Sequence, residues 1–502
     1  MHRRAFFEES RRRGVSFAAT LACVLLFSGI CAYFADSSYA THRMTLTEQA
    51  SEKGFAYEIK TGDCGYGAYI TSYTGGRIVA VPSTLGGKPV VSIDLCDLDI
   101  YSLNVTACRD LIALSCEYND IASLDVSKNT HLQKLDCRGN DLTSLNTSKN
   151  LELIDLECSE NALKSLIVGK NPCLTALSCS YNLLTALDVS GATALTVLSC
   201  EINYIKTLNV SGCADLAGLY CFDNAIGSLD LSGNPKLILL ECWLNDLTAL
   251  NVSKNTGLTK LSCENNDLKS LYLSKNIALK ELYCGGNNLK SLDVSKNADL
   301  TKLSCSGAGL SSLDVRGNPK LLLLHCTQNN LTALDLRKNG ALKEAMCGKN
   351  RLTALDVSKN INLTYLDCSD NRLSALNVGA NAALKRLYCV RNGIPDSPNR
   401  QSLVARFGVS GVLPQNITVT FNSNGGNAIA SKIIAENSVV GALQTPIKTG
   451  HSFLGWYTAT SGGAKISATT KVAKAVTYYA RWAATKATIT RDKPYYASRS
   501  KR

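Results

Sequence analysis

The sequence predicts a repeat solenoid: short coils stacked so that one parallel β-sheet lines a concave face opposite a mostly irregular convex side. Three observations predict it. Fourteen cysteines, from Cys116 to Cys389, stand 21 residues apart without a slip of register. Leucine, valine and asparagine recur around each of them at fixed offsets. The chain of 502 residues would ordinarily divide into two or three domains, but a constant period lets one elongated body grow by adding units.

Take Leu114 as position 1. Cysteine is then position 3, Asn119 position 6, Ile121 position 8, Leu124 position 11, Val126 position 13, Asn129 position 16 and Leu132 position 19. Positions 1 and 3 are apolar and alternate with positions 2 and 4, the period of a strand buried on one face. One unit cannot bury its own leucines; stacked units share a core. Asparagine holds position 6 in thirteen of fourteen units, with Ala308 the exception. Its amide is expected to bond turn backbone of its own coil and the next, as an internal ladder.

The cysteines look functional until their geometry is considered. In-register parallel strands lie about 4.8 Å apart, so equivalent Cβ atoms would too. Disulfides need roughly 3.5–4.5 Å, and a straight row of sulfurs does not converge on a metal. A small apolar side chain in a narrow interior accounts for them. Cys108 and Cys213 replace the asparagine of position 16, while Cys173, Cys64 and Cys96 lie elsewhere; spacing implies no pairing among the five.

Read across the unit boundary, L-x-x-L-x-C-x-x-N-x-L resembles the leucine-rich repeat, with cysteine in the third leucine slot. The resemblance runs from Leu114 to Asn392, after an imperfect unit that starts at Ile93 and has Leu95 in the cysteine place. It implies that the strand-bearing concave face is the binding surface. A second resemblance begins at Ile417. It rests on the Asn424-Gly425-Gly426 turn, Pro446 through Gly450, Phe453-Leu454-Gly455-Trp456-Tyr457, Gly462-Gly463 and Tyr479-Ala480-Arg481-Trp482. These resemble the Listeria–Bacteroides repeat, the B-repeat of internalin-type proteins, with His451 where that family more often has tyrosine. The resemblance implies a small β-grasp-like module with Trp456 and Trp482 in its core.

The ends complete the plan. Residues 1–40 combine a basic start (Arg3, Arg4, Arg11, Arg12, Arg13), an apolar stretch from Gly14 to Ala35 and small residues before position 41, the pattern of a signal peptide or an uncleaved membrane anchor. Residues 41–92 read as linker and β cap, and 93–394 as the solenoid. Residues 395–415 read as a closing turn and linker with a short helix over QSLVARFG. Residues 416–484 form the B-repeat module and 485–502 a basic tail.

No motif for zinc hydrolysis, a nucleophile elbow, phosphate or dinucleotide binding is present, and the five histidines are scattered, so an enzyme is not expected and no cofactor or metal is implied. Asp at position 12 (Asp125, Asp188, Asp230 and others) lacks the glycine-rich unit of calcium solenoids and reads as solvated or turn-bonding. Function then falls to positions 21, 2, 4 and 5, which vary where the frame is monotonous. In mid-array they turn aromatic: Tyr220 and Phe222, Trp243 and Leu244, then Tyr283, with Ile202 and Glu241 among them and His325 after. Clustered exposed aromatics make an interaction patch.

Net charge is +12, yet these concave positions carry thirteen acids against seven lysines and arginines. Lysine gathers instead at position 15, in eight of thirteen complete units, so nucleic acid is not the expected partner. The expectation is a monomeric exported protein, extracellular or at the cell surface, touching membrane only through an uncleaved N-terminus. It would bind a protein or glycan in adhesion or host interaction. The alternative is a purely structural cell-envelope protein.

Overall fold

The computed structural model describes residues 50–485. The segment read as signal or anchor, the start of the linker and the basic tail beyond residue 485 lie outside the described residues. No described helix is long and apolar enough to cross a membrane.

Each unit of the array contributes a three-residue strand from positions 21, 1 and 2, such as Ala113–Ser115 and Lys134–Asp136. Successive strands pair in parallel at the sequence period, Leu114 against Leu135 and so on to Leu366 against Leu387. The side chains of positions 1 and 3 point inward, where they meet positions 8, 11, 13 and 19 in one continuous core from Phe55 to Val412. Opposite the sheet the chain is mostly turns, with short parallel pairs such as Ser144–Asn146 with Ser165–Ile167 and Ala186–Asp188 with Thr207–Asn209. This is the leucine-rich repeat architecture, about fifteen coils long.

All fourteen ladder cysteines are buried and none is bonded to another. Burial pushes their thiols up, Cys305 to about 12, which keeps them protonated and unreactive. Cys213 shows how position 16 works. There, Asn150 Nδ2 donates to Val126 O and Asn129 O of the preceding coil, at 3.0 and 2.8 Å. Cys213 Sγ donates to the equivalent carbonyl, Val189 O, at 3.2 Å. The thiol takes over one of the amide's bonds.

The position 6 ladder differs from expectation in one respect: each asparagine reaches back to the preceding coil, not forward. Asn140 Oδ1 accepts from Ile121 N at 3.0 Å, and its Nδ2 donates to Cys116 O at 2.9 Å and to Cys137 O of its own coil at 3.1 Å. The forward contact is made by the following coil, whose Asn161 Nδ2 donates to Cys137 O at 3.0 Å. Where Ala308 breaks the series, Leu289 N has no amide oxygen to meet and donates to Ala308 O at 2.9 Å instead. Position 12 is turn-bonding: Asp125, Asp188, Asp230, Asp293 and Asp356 each accept from the backbone N two residues on at 2.9 Å.

At the N-terminal end the antiparallel strands Phe55–Gly62 and Gly65–Tyr73 cover the first coil. Lys88–Asp94 runs parallel both to Gly65–Tyr73 and to Ala113–Ser115. At the other end, residues 395–415 are not the spacer that "linker" implies. Ser397 caps helix α1, Pro398–Phe407, by accepting from Arg400 N, and proline opens its first turn. Leu403 is buried against the last coils, and Arg406 Nη2 donates to Asn381 O at 2.8 Å. A short helix α2, Val409–Val412, then supplies Gly411 O to Cys389 N at 2.7 Å. Gln415 replaces the next ladder asparagine, donating to Cys389 O at 3.0 Å and accepting from Asn392 N at 3.2 Å. An open solenoid end would leave these groups unpaired, so the segment is held against the array as a cap.

The C-terminal module is a four-stranded sheet in the order Lys432–Ala435, Asn416–Asn422, Val476–Ala484, His451–Tyr457. Its central pair is parallel and both outer pairs antiparallel, as in a β-grasp sheet. Trp456 is 1% exposed, packs edge-on to Phe421 and donates its indole N–H to Gln444 O at 2.8 Å. Trp482 is half-buried against Phe453 and bonds Ser423 O.

Two outcomes test this construction. A thiol reagent on the native protein should label Cys173, the exposed cysteine of the described residues, well before any ladder position, as located by peptide mass mapping. Fast labelling within the ladder would contradict a sealed core. Asn266→Ala removes the acceptor of Leu247 N and one of the two amide donors to each of the carbonyls of Cys242 and Cys263, which keep Asn245 and Asn287, and should cost about 1–3 kcal/mol in urea denaturation.

Candidate functional site

Three residues past the strand, at position 5, the backbone enters the left-handed region in every coil. Gly139, Gly286, Gly307 and Asn265 suit that conformation, at φ of 64°, 64°, 65° and 53°. Other coils put bulky side chains there: Tyr181 at 54°, Ile202 at 55° and Leu244 at 51°. Each costs about 1 kcal/mol, more for the β-branched isoleucine. The same conformation recurs at Tyr118, Glu160, Gln328, Lys349 and Arg391, so the repeat frame imposes it on whatever side chain stands there.

Three successive coils bring most of the expected patch together. Ile202 comes from one, Tyr220 and Phe222 from the next, and Glu241, Trp243 and Leu244 from the third. Phe222 and Trp243, both at position 4, stack with ring centroids 4.3 Å apart and planes 8° from parallel. Leu244 is exposed; Ile202, Tyr220, Phe222 and Trp243 are half-buried. Glu241 is buried and ion-paired to Lys260 at 2.7 Å. Tyr283 and His325 lie two and four coils beyond Glu241, roughly 10 and 19 Å along the sheet. They are engaged locally. Tyr283 Oη donates to Glu281 Oε2 at 3.2 Å, and His325 Nε2 meets Glu344 Oε1 at 2.9 Å.

The sequence search missed three neighbours. Leu183 and Tyr204 are exposed at position 7, just past Tyr181 and Ile202. Position 7 is Asp, Asn, Gly or Arg in most other coils, and that contrast was the available signal. The third is Glu201 at position 4, only 8% exposed, whose Oε2 has no hydrogen-bond partner among the described residues.

The concave face is strongly acidic in its first half. Arg138 is shared by Asp136 at 2.8 Å and Glu157 at 3.9 Å, and also bonds Glu117. Desolvation by burial pushes the carboxyls of Asp136 up to about 6 and of Glu157 and Glu201 up to about 7. Among the described residues no group of three or more His, Cys, Asp or Glu side chains is placed to hold a metal ion.

A capped solenoid with a rigid frame and one variable face belongs to the class of leucine-rich repeat proteins. The comparisons narrow that class. The chain is 32% identical to the functional domain of InlJ from Listeria monocytogenes, described as including a cysteine ladder; the match covers 67% of this chain and 76% of that one, with a TM-score of 0.60. The chain belongs to this internalin-type family of leucine-rich repeat proteins. A leucine-rich repeat protein of Leptospira interrogans shares the fold at 22% identity and a TM-score of 0.55, the match covering 62% of this chain and 93% of that one. So does the ectodomain of the Arabidopsis thaliana receptor kinase GASSHO1/SCHENGEN3, at 19% identity and a TM-score of 0.50, covering 65% of this chain and 47% of that one. Residues 418–481 match the Listeria-Bacteroides repeat domain. Comparison with curated protein sequences gives no match. An internalin-type array joined to this repeat is typical of bacterial surface or secreted proteins that take part in protein interaction.

The raised carboxyls set a pH dependence. Between about pH 4 and 7 the folded chain holds protons that the unfolded chain has lost, so stability is greatest on the acid side and falls as pH rises through that window. The urea midpoint should therefore be lower at pH 8 than at pH 5, and Glu157→Gln with Glu201→Gln should remove most of the difference.

Proposed function

We propose that the chain is an exported bacterial protein that binds a partner protein through the concave face of the repeats, in adhesion or host interaction, and has no catalytic role. The domain plan serves this: residues 1–40 direct export, 93–394 present the face, and 416–484 carry the B-repeat module. One observation supports the reading above the rest. Aromatic and aliphatic side chains stand on three consecutive coils, and Phe222 and Trp243 are stacked face to face and half-exposed there, whereas the other aromatic pair of the face, Tyr365 and Tyr388, is tilted at 45°. Rigid aromatics of this kind dominate the energetics of protein interfaces. Lysine at position 15, on the loop side, leaves the concave face acidic.

The test is capture from host-cell and bacterial surface extracts by the full chain, against a variant carrying Tyr220→Ser, Phe222→Ser and Trp243→Ser. All three side chains face outward, so the variant should melt within a few degrees of the parent. Partners held by the parent should be reduced at least tenfold on the variant. Identical capture would favour the structural cell-envelope alternative, and a captured glycan would replace the protein partner.

A further inference from the structure

We infer that the mid-array patch recognises a basic side chain flanked by apolar ones on an extended segment of its partner, with the cation seated on Glu201 beside the Phe222–Trp243 stack. This rests on the proposed binding role of the concave face and names the chemistry of its ligand.

Glu201 stands at an outward-facing position between Ser180 on the preceding coil and Phe222 on the following one. Ser180, whose hydroxyl also has no hydrogen-bond partner among the described residues, lies on the preceding coil, Glu241 acts on Glu201 by like charge, and Tyr181 feels Glu201 together with Glu160 and Asp223. No lysine or arginine among the described residues forms an ion pair with it. Of the seven cations of the face, four are paired elsewhere, Arg138 with Asp136 and Glu117, Lys260 with Glu241 at 2.7 Å, Lys302 with Glu281 at 2.8 Å and Arg391 with Asp370, while Lys134, Lys349 and Arg386 stand three or more coils from Glu201. A carboxyl that is nine-tenths buried, with an unbonded oxygen and no counter-ion, is costly in the free protein. A guanidinium or ammonium arriving with a partner would supply what is missing.

The surroundings suit a cation with an apolar stem. Aromatic faces attract cations within about 6 Å, and the Phe222–Trp243 stack borders Glu201. The apolar groups at the strained turn, Tyr181, Ile202 and Leu244, together with Leu183 and Tyr204, offer the flanking contacts. Charge complementarity points the same way, since the concave positions carry thirteen acids and seven bases. A neutral sugar would satisfy the rings but leave the charge uncompensated. Because burial holds Glu201 partly protonated near neutrality, binding of a cation should release a proton.

The probe is a library of random heptapeptides displayed on phage, selected on the full chain and counter-selected on the triple serine variant. The expected survivors carry arginine or lysine next to an aromatic or aliphatic residue. For the tightest such peptide, made synthetically, replacing its basic residue by citrulline should weaken binding at least tenfold. Glu201→Gln should do the same while leaving the melting temperature unchanged or raised, and affinity should increase from pH 6 to pH 8. Survivors without basic residues, or binding indifferent to both citrulline and Glu201→Gln, would overturn the inference while leaving the patch as a binding site. If no peptide distinguishes the parent from the triple serine variant, both readings fail.

Discussion

At the end of every strand the chain must turn inside a coil so thin that water cannot reach its backbone, and the amide of position 6 resolves that conflict. Its oxygen meets a backbone N–H of the preceding coil, and its nitrogen meets carbonyls of two coils. Position 16 makes a second tie of this kind, its asparagine donating to two carbonyls of the preceding coil. The two irregular places demonstrate the constraint. At Ala308 the orphaned N–H of Leu289 finds a backbone carbonyl instead, and at the end of the array Gln415 supplies the missing amide. Each repair gives a partner to a backbone group that the missing amide would have left open.

The cysteines follow from that geometry. Coils closed by an amide at position 6 leave a narrow interior at position 3, which a small apolar side chain fills. In-register stacking then lines the sulfurs up, and burial keeps them protonated. Their regularity records the frame. Cys213, which donates to the carbonyl an asparagine would bond, shows that a thiol also serves there as a hydrogen-bond donor.

A frame this repetitive frees the outward positions to vary, and its concavity changes their chemistry. Carboxyls that would be solvated on a convex surface are half-buried or buried, and Asp136, Glu157 and Glu201 are pushed towards neutrality. The acidic first half and the stacked aromatic pair therefore form one surface of mixed character.

Much of this was legible in one sequence. A strict 21-residue period determined the parallel sheet, the buried leucines and the unpaired cysteine row, because identical units stacked in register have little freedom in how their side chains fall. The same period placed Phe222 and Trp243 at equivalent positions of adjacent coils. Tertiary structure decided what depends on direction and burial. The position 6 amides reach backward because the following coil makes the forward contact. Residues 395–415 close the array, since exposed strand edges need partners. Tyr283 and His325 stand apart from the aromatic cluster because each period adds about 4.8 Å. The buried oxygen of Glu201 lay hidden for the same kind of reason: a repeat pattern shows which way a side chain points, and only its neighbours in space determine whether water or another charge can reach it.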